Sequence, residues 1–132
     1  MAKKISRTYD YTDEAGTLLY QNCRLDRDAH PNAPKSLPRR PDGKGGWIWD
    51  LKDVRRVLYR LPELLQSPKQ DFVFVCEGEP DTDRLWSFGL PATTSGSATS
   101  WRPEFAEYFR GRLVCILPDH DLAGERYAKT IA

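Results

Sequence analysis

A chain of 132 residues can hold one ordinary domain or two small lobes sharing a core, and 39% hydrophobic with 30% charged residues is a globular composition. No apolar stretch approaches the length that crosses a bilayer, so the sequence predicts no membrane association. The net charge of +1 hides a split, because residues 1–66 carry 13 Lys/Arg against 9 Asp/Glu and residues 67–132 carry 7 against 10. A basic half joined to an acidic half points to a polyanion partner for the first and rules out a uniformly charged tail.

In chain order, Met1–Ser6 has lysines but no apolar core behind them, so no secretory signal is read. Tyr9 and Tyr11 alternate with polar residues, 13–16 is a turn sequence, and 17–20 returns, which predicts a hairpin over Tyr9–Gln21. Residues 26–46 hold four prolines and three glycines and are read as a long connection. Trp47-Ile48-Trp49 is a short strand. Val54–Leu65 fits a helix or a strand at Val57–Tyr59, with Pro62 suiting the first turn of a helix through Gln66. Residues 67–70 read as a linker, dividing a basic N-terminal lobe (1–66) from a second domain (67–132) expected to be cut short at its C-terminus.

The second domain opens on Phe72–Cys76, a run too short for a helix and rich in β-branched and aromatic residues, hence a buried strand. Pro80 starts a helix with Leu85 and Trp86 on its inner face and Gly89 as its stop. Pro91–Thr94 is a short strand followed by a polar loop to Ser100. Pro103 starts a helix bearing Phe105, Ala106 and Phe109, closed by Gly111. Leu113–Leu117 is a second buried strand, and a last helix begins near Leu122. Strands alternating with helices predict an α/β fold with a parallel sheet, its crossovers right-handed, behind a small β-rich basic lobe.

Both buried strands end in carboxylates: Glu77-Gly78-Glu79-Pro80-Asp81 after the first, Pro118-Asp119-His120-Asp121 after the second. Groups just past the carboxyl ends of parallel strands meet in one crevice. Glu77, Asp119 and Asp121 are therefore expected to converge, and clustered carboxylates repel unless a hard cation lies among them, which suggests Mg²⁺ or Mn²⁺. Glu79 and Asp83 are read as first-turn acids that favour the helix dipole. Asp81 fits that role or a metal ligand equally. Cys23, Cys76 and Cys115 are widely spaced and suit reduced thiols of a cytoplasmic protein, with neither a disulfide frame nor a zinc site.

Taken together, Glu77-Gly78-Glu79-Pro80-Asp81 and Leu117-Pro118-Asp119-His120-Asp121-Leu122-Ala123-Gly124 resemble the Toprim domain of bacterial-type DNA primases, type IA and II topoisomerases and several nucleases. Leu58–Leu61 is similar to the segment before the Toprim core of primases, and Arg39–Trp49 looks like phage or mobile-element primases and primase-helicases, without their zinc-binding and helicase modules. The resemblance implies a Toprim-like sheet in which Glu77 is the catalytic carboxylate and Asp119, Asp121 and Asp81 hold the metal. It also implies that Arg39, Arg40 and Lys44 on a Gly-rich loop, with Arg55, Arg56 and Arg60, bind nucleotide and nucleic-acid phosphates. The activity expected is metal-dependent primer synthesis from ribonucleotides on single-stranded DNA, with a replicative helicase as partner. The alternatives are an inactive fragment that only binds nucleic acid, and a Toprim nuclease. Arg55, Arg56 and Arg60 could equally be a solvated face. Trp47 or Trp49 could contact bases, whereas Trp86 is read as core.

Overall fold

The computed structural model describes residues 3–68, 72–97, 100–118, 126 and 129–131. The chain forms two compact units, Met1–Arg56 and Val57–Ala132.

The first unit is an antiparallel sheet of four strands in the order β1-β2-β3-β4: β1 (Ile5–Thr12), β2 (Leu18–Leu25), β3 (Ser36–Pro41) and β4 (Trp47–Ile48). The expected first hairpin is present. Its turn is closed by the Asp13 carboxylate, which accepts from the Ala15 and Thr17 amides at 2.9 Å each, and by Gly16 at φ +87°, a conformation that glycine adopts without a side-chain clash. The stacked rings of Tyr11 and Tyr20, cross-strand partners with centroids 4.8 Å apart, bury one face of that hairpin.

The reading of 26–46 as one long connection fails at its centre, where Ser36–Pro41 is β3. Proline lacks the N–H that a ladder uses, which is why Pro38 and Pro41 hide this strand from the sequence. Pro38 is tolerated because β4 pairs only with Arg40 and Pro41, leaving β3 an edge there, and Pro41 because it ends the strand beyond the β2 ladder, which stops at Arg39. The β3–β4 turn is wound around Asp42, whose carboxylate accepts from the amides of Lys44 (2.6 Å) and Gly46 (3.0 Å).

The second unit begins ten residues before the boundary expected from the linker, since Val57, Leu58, Leu61 and Leu64 are buried in its core rather than belonging to the first. Val57 and Leu58 belong to neither a helix nor a strand, and Tyr59 stands in a turn. The Tyr59 amide donates to the Thr94 carbonyl at 2.9 Å, and Thr93 Oγ1 donates to the Tyr59 carbonyl at 2.7 Å. Helix α1 (Leu61–Gln66) follows with Pro62 in its first turn.

A parallel sheet of three strands organises this unit in the order β6-β5-β7: β5 (Val73–Cys76), β6 (Ala92–Thr93) and β7 (Val114–Leu117). Helix α2 (Glu79–Ser87) links β5 to β6, and the helix expected from Pro103 is a 3-10 helix over Pro103–Phe109, ahead of β7. Phe105 is buried with Leu58, Leu64 and Val73, and Trp101, Tyr108 and Phe109 pack against that cluster. The central strand is buried as expected, with Val73, Val75 and Cys76 at 0% exposure. The second acid-terminated strand is not, since Val114 and Leu117 remain 38% and 40% exposed.

On α2 the inner stripe is Glu79, Thr82, Asp83 and Trp86, of which Glu79 and Thr82 are fully buried. The sequence placed Leu85 beside Trp86 on that face. Positions 79, 82, 83 and 86 follow helical spacing, but three of them are polar, so apolar periodicity could not reveal the stripe. The expected last helix from Leu122 lies mostly outside the described residues; Arg126 and 129–131 are helical. Among the described residues no helix is long and apolar enough to cross a membrane.

Candidate functional site

Strand order fixes the most informative point of the second unit. The chain leaves β5 through α2 to β6 on one side, then returns to add β7 on the other side of β5. A sheet whose connections diverge in this way opens a crevice at the carboxyl ends of the two strands that flank the divergence. Those strands are β5 and β7, in register from Val73↔Val114 to Cys76↔Leu117. Glu77 leaves β5 directly after Cys76, and Pro118 leaves β7 directly after Leu117, and the paired strand ends from which they leave are about 4.8 Å apart.

Glu77 is half-buried at this edge. Gly78 is the extended N-cap of α2 (φ −136°), and Thr82 Oγ1 donates back to its carbonyl at 3.0 Å. Asp81 is exposed and lines an open groove with Arg84, Leu85, Phe88 and Leu117, so one side of α2, from its first turn to its C-cap, and the end of β7 border the same space. Asp119, His120 and Asp121 lie outside the described residues. Among the described residues no three His, Cys, Asp or Glu side chains are grouped closely enough to hold a metal. The available carboxylates at this edge, Glu77 and Asp81, are hard oxygen donors of the type that Mg²⁺ and Mn²⁺ accept.

Glu79 and Asp83 are more than dipole acids. Glu79 is 3% exposed. Asp83 accepts from the Tyr59 hydroxyl (2.9 and 3.1 Å) and from Arg60 Nε (2.9 Å). Burial, reinforced by the Asp83 carboxylate, pushes the Tyr59 phenol well above its ordinary value. Burial alone would lower Arg60, but its contact with Asp83 more than reverses this. Arg60 adopts φ +57°, a left-handed conformation uncommon for a residue with a side chain, at the N-cap of α1. Its guanidinium also lies 5.8 Å from the centroid of Trp86, whose indole N–H donates to the Ala92 carbonyl at 2.8 Å.

The basic residues of the first unit do not form one cluster. Arg39 and Arg40 lie on β3 rather than on a loop, and successive strand residues face opposite sides of a sheet. Arg39 Nε donates to Gln21 at 2.8 Å, and its guanidinium lies 3.9 Å from the Trp47 ring centroid and 5.4 Å from that of Trp49. Arg40 instead pairs with Asp50 at 2.9 Å. Lys44 is exposed at the tip of the β3–β4 turn. Arg55 holds Glu14 through two bonds, 2.6 and 2.8 Å, and that contact lowers the Glu14 carboxyl to about 2. Arg56 Nε is buried and, among the described residues, lacks a hydrogen-bond partner. Arg60 belongs to the second unit.

The architecture, an antiparallel N-terminal sheet followed in sequence by a parallel three-stranded sheet with flanking helices, matches the fold of DNA primase catalytic cores. Over 93% of this chain it superposes on the DnaG primase catalytic domain bound to single-stranded DNA, with a TM-score of 0.65 and 22% identity. Over 98% it superposes on the primase fragment of the bacteriophage T7 primase-helicase protein (TM-score 0.64, 19% identity), and over 93% on the E. coli primase catalytic core (0.63, 24%). The chain spans 37%, 51% and 37% of those three chains. At 19–24% identity these are likenesses of fold. No family model and no curated protein matches the sequence.

Proposed function

We infer that this chain is a Toprim-type primase domain of phage or mobile-element origin that builds short RNA primers on single-stranded DNA. The observation that supports this reading most is the pairing of Cys76 with Leu117, from which Glu77 and the segment leading to Asp119 emerge side by side at the strand-order reversal. In the reaction, a 3′-hydroxyl attacks the α-phosphorus of an incoming ribonucleotide. The new O3′–P bond forms as the bond to pyrophosphate breaks. Glu77 is the catalytic carboxylate and takes the hydroxyl proton. Asp119 and Asp121, with Asp81, are the residues that would hold Mg²⁺ or Mn²⁺, which when bound would offset the phosphate charge. The basic residues Arg39, Arg40, Lys44, Arg55 and Arg56 serve the polyanion, Arg40 and Arg55 by exchanging their contacts with Asp50 and Glu14 for phosphate, and a replicative helicase is the expected partner of such a domain. Arg60 belongs with this group by sequence, although Asp83 holds its guanidinium.

The test is primer synthesis on a single-stranded template with Mg²⁺ or Mn²⁺, comparing wild type with Glu77→Gln. A catalytic carboxylate predicts a loss of at least about a hundredfold in the variant. Equal product from both proteins removes Glu77 from the mechanism. Salt-sensitive strand binding without product from wild type returns the binding-only reading. Degradation of a labelled strand without ribonucleotides returns the nuclease.

A further inference from the structure

We propose that the first unit carries a base-stacking platform, Trp47 and Trp49 with Arg39, that takes a nucleobase of single-stranded nucleic acid. The proposal rests on the strand-binding part of the function inferred above and is independent of turnover. Its basis is a row of side chains running across the sheet. Asp10 is the cross-strand partner of Gln21, and Gln21 of Arg39. Arg39 and Pro41 share a face of β3 by alternation, and Pro41 pairs with Trp47, which puts Trp47 diagonally beside Arg39 on that face.

The side-chain contacts follow this register. Gln21 Nε2 donates to Asp10 at 2.6 Å, and Gln21 Oε1 accepts from Arg39 Nε at 2.8 Å. The guanidinium, fixed from behind, lies 3.9 Å from the Trp47 centroid. Trp49 receives two cations, Arg39 at 5.4 Å and Lys3 at 4.8 Å. Gln21 is buried, so the row is anchored in the body of the sheet, while Trp47 at its end remains 36% exposed.

Such an edge has a specific chemistry. Indole and guanidinium planes both stack on nucleobases, and positive charge at the same spot neutralises the phosphates of the strand. The contacts that hold Arg39 in place before binding reduce the side-chain entropy lost when a base arrives. The unit as a whole supplies the matching charge, with 12 Lys/Arg against 8 Asp/Glu in residues 1–56. Paired bases cannot stack in this way, which selects a single strand over a duplex.

The test measures binding of the full chain to labelled oligo-dT of about 12 nucleotides, to an abasic strand of equal length, and to a duplex, by fluorescence anisotropy. Stacking predicts that oligo-dT binds about tenfold tighter than the abasic strand. Trp47→Leu removes most of that difference while leaving abasic binding unchanged, and indole fluorescence of the wild type is quenched by oligo-dT alone. Equal affinity for the oligo-dT and abasic strands overturns the platform yet leaves phosphate binding intact. A base preference that survives both Trp47→Leu and Trp49→Leu also overturns it, reducing the rings to a staple between β3 and β4. No binding to any strand overturns the platform together with the strand-binding function. The wild-type comparison stands even where a variant fails to fold.

Discussion

Replacing Asp83 by alanine removes the acceptor shared by Tyr59 and Arg60 and tests whether α2 is held by that carboxylate. The Tyr59 hydroxyl sits on a residue only 7% exposed, so losing its charged acceptor removes a hydrogen bond made largely away from water. That loss costs about 1.5–2 kcal/mol. The Arg60 contact is shorter-lived energetically, because side-chain exposure of 32% and 23% for the two partners lets water compete, and it contributes about 0.5–1 kcal/mol. Asp83→Ala should therefore destabilise by about 2–3 kcal/mol. Asp83→Asn keeps an acceptor and should lose about half of this. Urea titration followed by circular dichroism measures both. A double-mutant cycle with Tyr59→Phe should give a coupling of about 1 kcal/mol. If Asp83→Ala stays within about 0.5 kcal/mol of wild type, the level of an ordinary surface change, the tie between Tyr59, Arg60 and α2 carries no weight.

Three further outcomes follow from the same packing. The Tyr59 phenol is raised above its ordinary value of 10.0, so its contribution is complete below pH 10 and is lost as pH rises through the higher folded value; the urea midpoint of Tyr59→Phe should fall less between pH 9 and 11 than that of wild type. Phe105→Ala empties a site walled by Leu58, Leu64 and Val73 and should cost about 3–5 kcal/mol, seen as loss of cooperative unfolding or a large drop in midpoint. Cys23 and Cys76 are fully buried, and burial raises the Cys23 thiol, so a thiol reagent at neutral pH should label Cys115 first and the other two only after denaturation.

The fold was legible where one residue type forces one outcome. Alternating Tyr9 and Tyr11 gave the hairpin, and the apolar run before Glu77 gave β5. The three strands of the parallel sheet were each read close to their observed positions. Two features escaped for opposite reasons. β3 was masked by prolines that an edge strand tolerates, and the buried stripe of α2 was masked by polar residues that packing satisfies. The stretch 54–65 stayed ambiguous because the same apolar positions serve a helix or a buried extended segment. The Thr93 and Thr94 contacts that decide it are more than thirty residues away in sequence. The role of Asp83 was invisible for the same reason: Tyr59 and Arg60 come from beyond α2.

Helical geometry now sorts the acids that sequence left together after β5. Glu79 and Asp83, four residues apart, fall on the inner side of α2, one fully buried and the other bonded to Tyr59 and Arg60. Asp81 lies between them in sequence, about 180° away around the helix from their midpoint, and is exposed in the groove that Leu117 also lines. Equal as these three carboxylates are in composition, only Asp81 shares a space with the end of β7. The same strand-order reversal sets Glu77 beside that end through backbone pairing, an argument that needs no likeness to any other protein. Sheet topology therefore singles out this edge, and under the proposed function Glu77 and Asp81 are the described acids there whose replacement should lower activity while leaving the contacts of Glu79 and Asp83 in place.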